Sequence, residues 1–146
     1  MKRWMALDVG SRNVGVAVSD PLKLTARPLT TLKRRDLETD VEALRDLMQR
    51  HAVERLIVGL PLRLSGDRSS TLDKIEPLVK RIQETTSILV EWKDERLSTK
   101  EAEQLMKELG LSQSERRRKR NEFAAALILK WYLEEETSQR SPVVPG

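Results

Sequence analysis

Trp4-Met5-Ala6-Leu7-Asp8-Val9-Gly10-Ser11-Arg12-Asn13-Val14-Gly15-Val16-Ala17-Val18-Ser19-Asp20 is the stretch whose reading decides the fold. It holds two apolar runs, 5–7 and 14–18, each read as a short buried strand. Gly10 and Asn13 lie between them and are turn formers, so the pair closes into a hairpin. Asp8 stands where the first strand gives way to the turn. Gly10 and Gly15 remove side chains beside it, leaving room for a bulky anion or a metal to approach the backbone. A carboxylate in that place is costly unless something cationic meets it. Asp8 suits a turn-capping role equally well, and a D-x-G sequence after a strand is compatible with both.

Outward from the hairpin, residues 27–32 alternate loosely and give a third strand, with Pro28 at its start or on a sheet edge. Asp36 is placed to N-cap a helix with the stripe Leu37, Val41, Leu44 and Met48, ending near His51. Residues 55–59 form a continuous apolar strand of the kind covered on both faces. Residues 71–85 read as a helix with Ile75, Leu78, Val79 and Ile82 inward, Pro77 either kinking it or lying in its first turn. Residues 88–92 are the next buried strand. Ser98-Thr99-Lys100-Glu101 fits a capping box ahead of a helix with Ala102, Leu105, Met106 and Leu109 inward, closed by Gly110. The polar stretch 112–120 reads as a loop. The last helix is expected to start near Asn121 or Glu122 and to carry Phe123, Leu127 and Trp131. From Glu135 a polar tail with two prolines is expected to be disordered, which leaves 1–134 as one domain. A strand meander followed by alternating helices and strands implies an α/β protein, a five-stranded mixed sheet with helices on both faces. Right-handed crossover places the residue-55 strand beside the first.

Composition narrows the function. Apolar residues at 38% and charged residues at 34% describe a soluble globular domain with a heavily charged surface. Lys and Arg number 27 against 23 Asp and Glu, a net charge of +4, which permits nucleic acid as a partner without requiring it. The absence of cysteine excludes disulfides, thiolate catalysis and zinc–thiolate centres. A single histidine, His51, rules out His-rich zinc centres and argues against a Ser-His hydrolase. No apolar run approaches the ~20 residues of a membrane span and no signal peptide opens the chain, so the cytoplasm is the expected compartment. Trp4, Trp92 and Trp131 are read as core, and aromatics at 3% leave little for a base-stacking platform. Recognition of backbone and shape is favoured over sequence readout.

Acidic or near-acidic residues fall at element ends: Asp8 after the first strand, Asp94 and Glu95 after the last, Asn121 and Glu122 at the final helix. Ligand sites of open α/β sheets gather beyond strand carboxyl ends. Carboxylates that converge there repel one another unless a divalent cation joins them, and hard oxygen ligands suit Mg²⁺ or Mn²⁺. Two such ions ~4 Å apart activate water and stabilise the leaving oxygen in phosphodiester hydrolysis. The same residues also have plain structural readings: a solvated turn, an N-cap at Asn121, and a dipole partner at Glu122. Spacing alone favours those.

Ala6-Leu7-Asp8-Val9-Gly10, Gly15-Val16-Ala17-Val18-Ser19-Asp20-Pro21, Ile57-Val58-Gly59-Leu60-Pro61-Leu62, Asp94-Glu95-Arg96-Leu97-Ser98-Thr99 and Ala124-Ala125 resemble, in order and spacing, the signature blocks of the YqgF/RuvX family. Its members are ribonuclease H-like proteins proposed as Holliday junction resolvases and as pre-16S ribosomal RNA nucleases. The resemblance covers residues 3–134 and implies a ribonuclease H-like fold and a Mg²⁺- or Mn²⁺-dependent endonuclease acting on structured nucleic acid. By resemblance Asp8 is the first-strand catalytic aspartate. Glu95 is the acidic residue of the D-E-R block, with Asp94 its neighbour and second choice. The third family carboxylate, an aspartate three residues ahead of paired alanines, is here Asn121. Asparagine offers a metal one neutral carbonyl oxygen and no charge, so weaker metal binding and slower water activation are expected. Glu122, about 100° further round the helix, is the candidate to compensate. The basic run Arg116-Arg117-Arg118-Lys119-Arg120 is read as a loop gripping substrate phosphates, with Arg12, Arg63 and Arg96 as weaker candidates.

Resolving a four-way junction, which has two-fold symmetry, calls for a homodimer, whereas trimming RNA does not. Two other classes remain in view. A sugar-kinase or actin-like ATPase shares the D-x-G hairpin, but no Walker A motif and no second half of such a protein are present. A non-catalytic nucleic-acid-binding protein would follow from loss of the third carboxylate at Asn121.

Overall fold

The two apolar runs form β1 (Arg3–Val9) and β2 (Asn13–Ser19), paired antiparallel with Met5 opposite Val18 and Asp8 opposite Gly15. The computed structural model describes residues 2–60, 70–94 and 98–140. Gly10 N–H donates to the Asn13 carbonyl at 2.8 Å and closes the turn. β3 (Ala26–Lys33) adds antiparallel to β2 and is an edge strand, where Pro28 can lack its N–H. The chain continues through α1 (Leu37–Arg50), β4 (Val53–Leu60), α2 (Ser70–Thr85), β5 (Leu89–Asp94), α3 (Ser98–Glu108) and α4 (Gln113–Arg140). β4 runs parallel to β1, and β5 parallel to β4. The order β3-β2-β1-β4-β5 is the expected five-stranded mixed sheet, with β4 beside β1.

Strand alternation sorts the core into two layers. Met5, Leu7, Val16, Leu56 and Val58 pack on one face against Val41 and Leu44 of α1 and Ile75, Leu78, Val79 and Ile82 of α2. Trp4, Ala6, Ala17 and Ile57 pack on the other against Ala125, Ile128, Leu129 and Tyr132 of α4. Small residues on both sides of that second layer let α4 lie close to the sheet. α3 sits on α4 through Ala102, Ala124 and Leu127. Asp36 caps α1 as expected, accepting from Thr39 N–H at 2.8 Å, and His51 is its C-cap. Pro77 lies inside α2 rather than in its first turn.

The start of α4 departs from the sequence reading. It begins at Gln113, not near Asn121, so the basic run 116–120 is helix rather than loop. The cause is a capping box one loop later than the one read at Ser98–Glu101. Glu115 N–H donates to Ser112 Oγ at 3.2 Å while Ser112 N–H donates to Glu115 Oε1 at 3.0 Å. Ser98 is already helical and buried. Asn121 is therefore not an N-cap, and Glu122 is not in a first turn. At its other end α4 runs to Arg140, so 135–140 are helical where the sequence reading has a disordered tail. Lys93 Nζ reaches Glu135 Oε2 at 2.7 Å and Arg55 reaches Glu136 at 3.7 Å, tying those turns to the sheet. Residues 141–146 lie outside the described residues. Leu109, at the last turn of α3, is 59% exposed, and Trp92, on edge strand β5, is 36% exposed, so neither is the core residue expected.

Candidate active site at the β1–β2 turn

Asp8 is the penultimate residue of β1 and is half-buried. It shares its alternation with Trp4 and Ala6, which pack under α4, so it projects on the α4 face. Gly15 is its cross-strand partner and Thr31 is the partner of Gly15, which makes a row across three strands. α4 crosses this row. A Cβ on Gly15 would run into the Asn121 carbonyl and lie 2.6 Å from the backbone nitrogen of Glu122. The room that the sequence reading gives to an anion or metal above Gly15 is thus occupied by the backbone of α4.

That close approach delivers Asn121 to the site. Its Nδ2 lies 3.9 Å from where a Gly10 Cβ would stand, so the amide faces the turn that follows Asp8. Glu122 goes the other way: its Oε1 accepts from the Thr31 hydroxyl at 3.1 Å, toward edge strand β3. Asp94 does not share the face of Asp8. Lys93 reaches α4 through Glu135, and the next residue of the strand projects to the opposite side. Glu95, Arg96 and Arg63 lie outside the described residues. Among the described residues no three Asp, Glu, His or Cys side chains converge as a metal cluster.

The helical setting of 116–120 divides the basic run. Arg116 donates to the Leu111 carbonyl at 2.8 Å and pairs with Glu103 at 3.4 Å. Arg120 reaches the same Glu103 at 3.8 Å. These two, four residues apart, lock α4 onto α3. Lys119 is half-buried, while Arg117 and Arg118 are exposed and lie one turn ahead of Asn121. Arg12 is exposed on the turn beside Gly10.

A buried ion pair beneath the turn is absent from the sequence reading. Arg34 Nε meets Asp40 Oδ2 at 3.0 Å, the Asp40 side chain being 8% exposed. Arg34 also donates from Nη1 to the Gly10 carbonyl at 3.3 Å and from its backbone to the Arg12 carbonyl at 2.7 Å. Arg35 N–H completes the set on Asp40 Oδ1 at 3.0 Å. The turn following Asp8 is thereby roped to the start of α1. The available signal was an aspartate in the first turn of α1, directly ahead of the buried stripe residue Val41.

Residues 2–135 match the RuvX family, described as Holliday junction resolvase. A Moorella thermoacetica protein named "Putative pre-16S rRNA nuclease" is 40% identical over 132 residues, 90% of this chain and 94% of the relative. A Natranaerobius thermophilus protein of the same name is 37% identical over 139 residues, 95% of this chain and 99% of the relative. Among solved structures, Thermus thermophilus RuvC in complex with a Holliday junction substrate aligns with a TM-score of 0.61 at 14% identity, covering 94% of this chain and 96% of that one. A fowlpox virus resolvase–junction complex aligns at 0.56 and 14%, covering 92% and 98%. At such identities the likeness is one of fold, the ribonuclease H-like arrangement. Sequence family and fold converge: the chain belongs to the RuvX family, phosphodiester-hydrolysing enzymes on a ribonuclease H-like scaffold.

Proposed function

We propose that this protein is a divalent-metal-dependent endonuclease that trims structured RNA at the 5′ end of pre-16S ribosomal RNA. The observation that supports the reading is the crossing of α4 over Gly15, the cross-strand partner of Asp8, which brings Asn121 to the turn that follows Asp8. The names borne by the relatives support RNA as the substrate. An Asp8 carboxylate and an Asn121 amide oxygen are hard donors. Such a set fits Mg²⁺ or Mn²⁺, which keep several waters and use substrate phosphate oxygens as further ligands. When bound, the ion supplies a nucleophilic hydroxide at neutral pH and neutralises the leaving oxygen.

Asp8 provides the negative charge that holds the cation. Glu95, following β5, is assigned the second charge by the family motif, and Asn121 orients without adding charge. Glu122, engaged by Thr31, is a less direct ligand. Arg117 and Arg118 on α4 bind phosphates flanking the scissile bond, and Arg12 on the turn binds phosphate farther from it. No helix among the described residues is long and apolar enough to cross a membrane.

The second reading, junction resolution by a homodimer, is favoured by the junction-bound proteins of the same fold. Labelled pre-16S fragments and synthetic four-way junctions, incubated with Mn²⁺ or Mg²⁺, separate the two. Asp8→Asn is expected to abolish cleavage. Asn121→Asp is expected to raise it about tenfold, the factor that ~1.4 kcal/mol of better charge neutralisation produces. Preference for junctions would move the assignment to resolution. Binding without cleavage by the parent chain would mark a nucleic-acid-binding protein disabled at Asn121, and an Asn121→Asp chain that gains nothing would remove Asn121 from the site.

A further inference from the structure

Lys33-Arg34-Arg35 joins β3 to α1, and the three cations do not behave alike. Arg34 turns inward to Asp40 and to the Gly10 carbonyl, whereas Lys33 and Arg35 on either side are exposed. Lys33 pairs with Asn13 across β2, two residues beyond the Asp8–Gly15–Thr31 row and on the same face. The Arg34 N–H to Arg12 carbonyl bond, 2.7 Å, holds this junction against the β1–β2 turn, where Arg12 is exposed. Lys33 and Arg35 both line a hollow of about 270 Å³ with Val14, Leu32 and Asp40. The acidic side chains that follow are turned to other partners. Asp36 caps α1 through Thr39, Glu38 holds Arg81 at 3.0–3.1 Å, and Asp40 is taken by Arg34.

We propose that Arg12, Lys33 and Arg35 form a rigid phosphate-binding ridge, separate from the Arg117–Arg118 strip, that holds a second nucleic-acid segment leading away from the cleaved bond. This rests on the nuclease reading and adds to it a preference for substrates with two segments, a duplex stem or a second arm. The Arg34–Asp40 pair and the Arg34 N–H to Arg12 carbonyl bond hold the backbone that carries these cations, so little backbone freedom is lost when a phosphate backbone meets them. Their contacts carry no sequence information. Counterion release then gives each cation a measurable share of the salt dependence.

The test uses the full chain carrying Asp8→Asn, so that binding is read without cleavage. Lys33→Gln with Arg35→Gln is compared with Arg45→Gln and Lys80→Gln, exposed cations on α1 and α2, giving the same net charge. The probes are an RNA hairpin with a single-stranded 5′ extension, a four-way DNA junction and a short single-stranded oligonucleotide. On the hairpin or the junction, the slope of log binding constant against log salt is expected to fall by about two in the ridge variant, one per lost phosphate contact. It should stay within experimental error of the Asp8→Asn parent in the control pair. Loss on the hairpin alone assigns the ridge to RNA, and loss on the junction alone assigns it to branched DNA. An equal fall in both pairs, a fall on the single strand alone, an unchanged slope, or no binding by the parent overturns the ridge. Cleavage by the Asp8-intact chain is measured separately. A failed ridge leaves Asp8-dependent cleavage in place, whereas a failed nuclease reading abolishes it.

Discussion

Two backbones meet at Gly15 with no side chain between them. Gly15→Ala would press a methyl group on the Asn121 carbonyl, and backbone cannot swing aside as a side-chain tip can. Overpacking of this kind costs ~1–3 kcal/mol, and the upper end is expected here. Urea unfolding should show the loss, and cleavage should fall with it because Asn121 moves off the turn. An unchanged midpoint would mean that α4 rides higher over β2. A glycine inside an apolar strand announces close approach, but not of what. The sequence could not say that the visitor is a helix, since that helix was expected to start only at Asn121. The family blocks single out Asp8 and Asn121, and the structure sets Asn121 at the turn that follows Asp8. The Arg34–Asp40 pair was not, because a cation and an acid six residues apart in a charged stretch look the same whether solvated or buried.

Among elements, α4 was the hardest to read and is the one on which the site depends. Its first turns carry charge on all sides, so no apolar stripe announces them, and only the Ser112–Glu115 box betrays the start. The strands and α1 were legible because burial leaves a periodicity in their apolar residues. Farther along α4, Tyr132 packs edge-on to Trp4 with ring centres 5.4 Å apart, and accepts from Arg55 Nη1 at 2.6 Å. The Arg55 guanidinium lies 4.4 Å from the centre of the Trp4 ring. Burial, then Glu91 beside the hydroxyl, push the Tyr132 phenol up to about 12 against the opposing pull of Arg55. This is the one tyrosine of the chain, so its ultraviolet titration is clean. Tyrosinate absorbance should appear with a midpoint near 12 in the folded protein, and near 10 in urea. Because the folded value is the higher, this stabilisation is complete below the unfolded value and drains away as pH climbs to the folded one. A folded midpoint near 10 would place Tyr132 in contact with water.

At the scale of the whole molecule, acid stability is governed by carboxylates at element ends. Asp20 accepts from the backbone of Thr25 at 2.8 Å, Leu24 at 2.7 Å and Leu22 at 3.1 Å, closing the β2–β3 turn. Asp36 caps α1, and Glu115 completes the capping box of α4 by accepting from Ser112 N–H. The Thr25, Thr39 and Ser112 N–H groups respectively hold these three carboxyls below their ordinary ranges. Burial, and then Arg27, Arg3 and Arg50, keep His51 from charging until more acid than usual. All four folded values lie below the unfolded ones, so the stabilisation is present at neutral pH and lost as pH falls, first through His51 and then through the carboxylates. The melting temperature should decline from about pH 6 and more steeply below about pH 4. A flat profile across that range would show the caps to be ornamental. Element order made the mixed sheet and the place of β4 beside β1 legible through right-handed crossover, whereas it left the place of β5 open. A different constraint follows from the long helix α4 over the face of the sheet that carries Asp8. Asn121 and Tyr132 are eleven residues apart on it, about three turns and ~16 Å. They work in phase: one meets the Gly10 turn while the other meets Arg55. Inserting one alanine between them would leave every side chain chemically intact, yet rotate one end about 100° against the other. In this interval a substitution is expected to cost the protein less than a change in residue count.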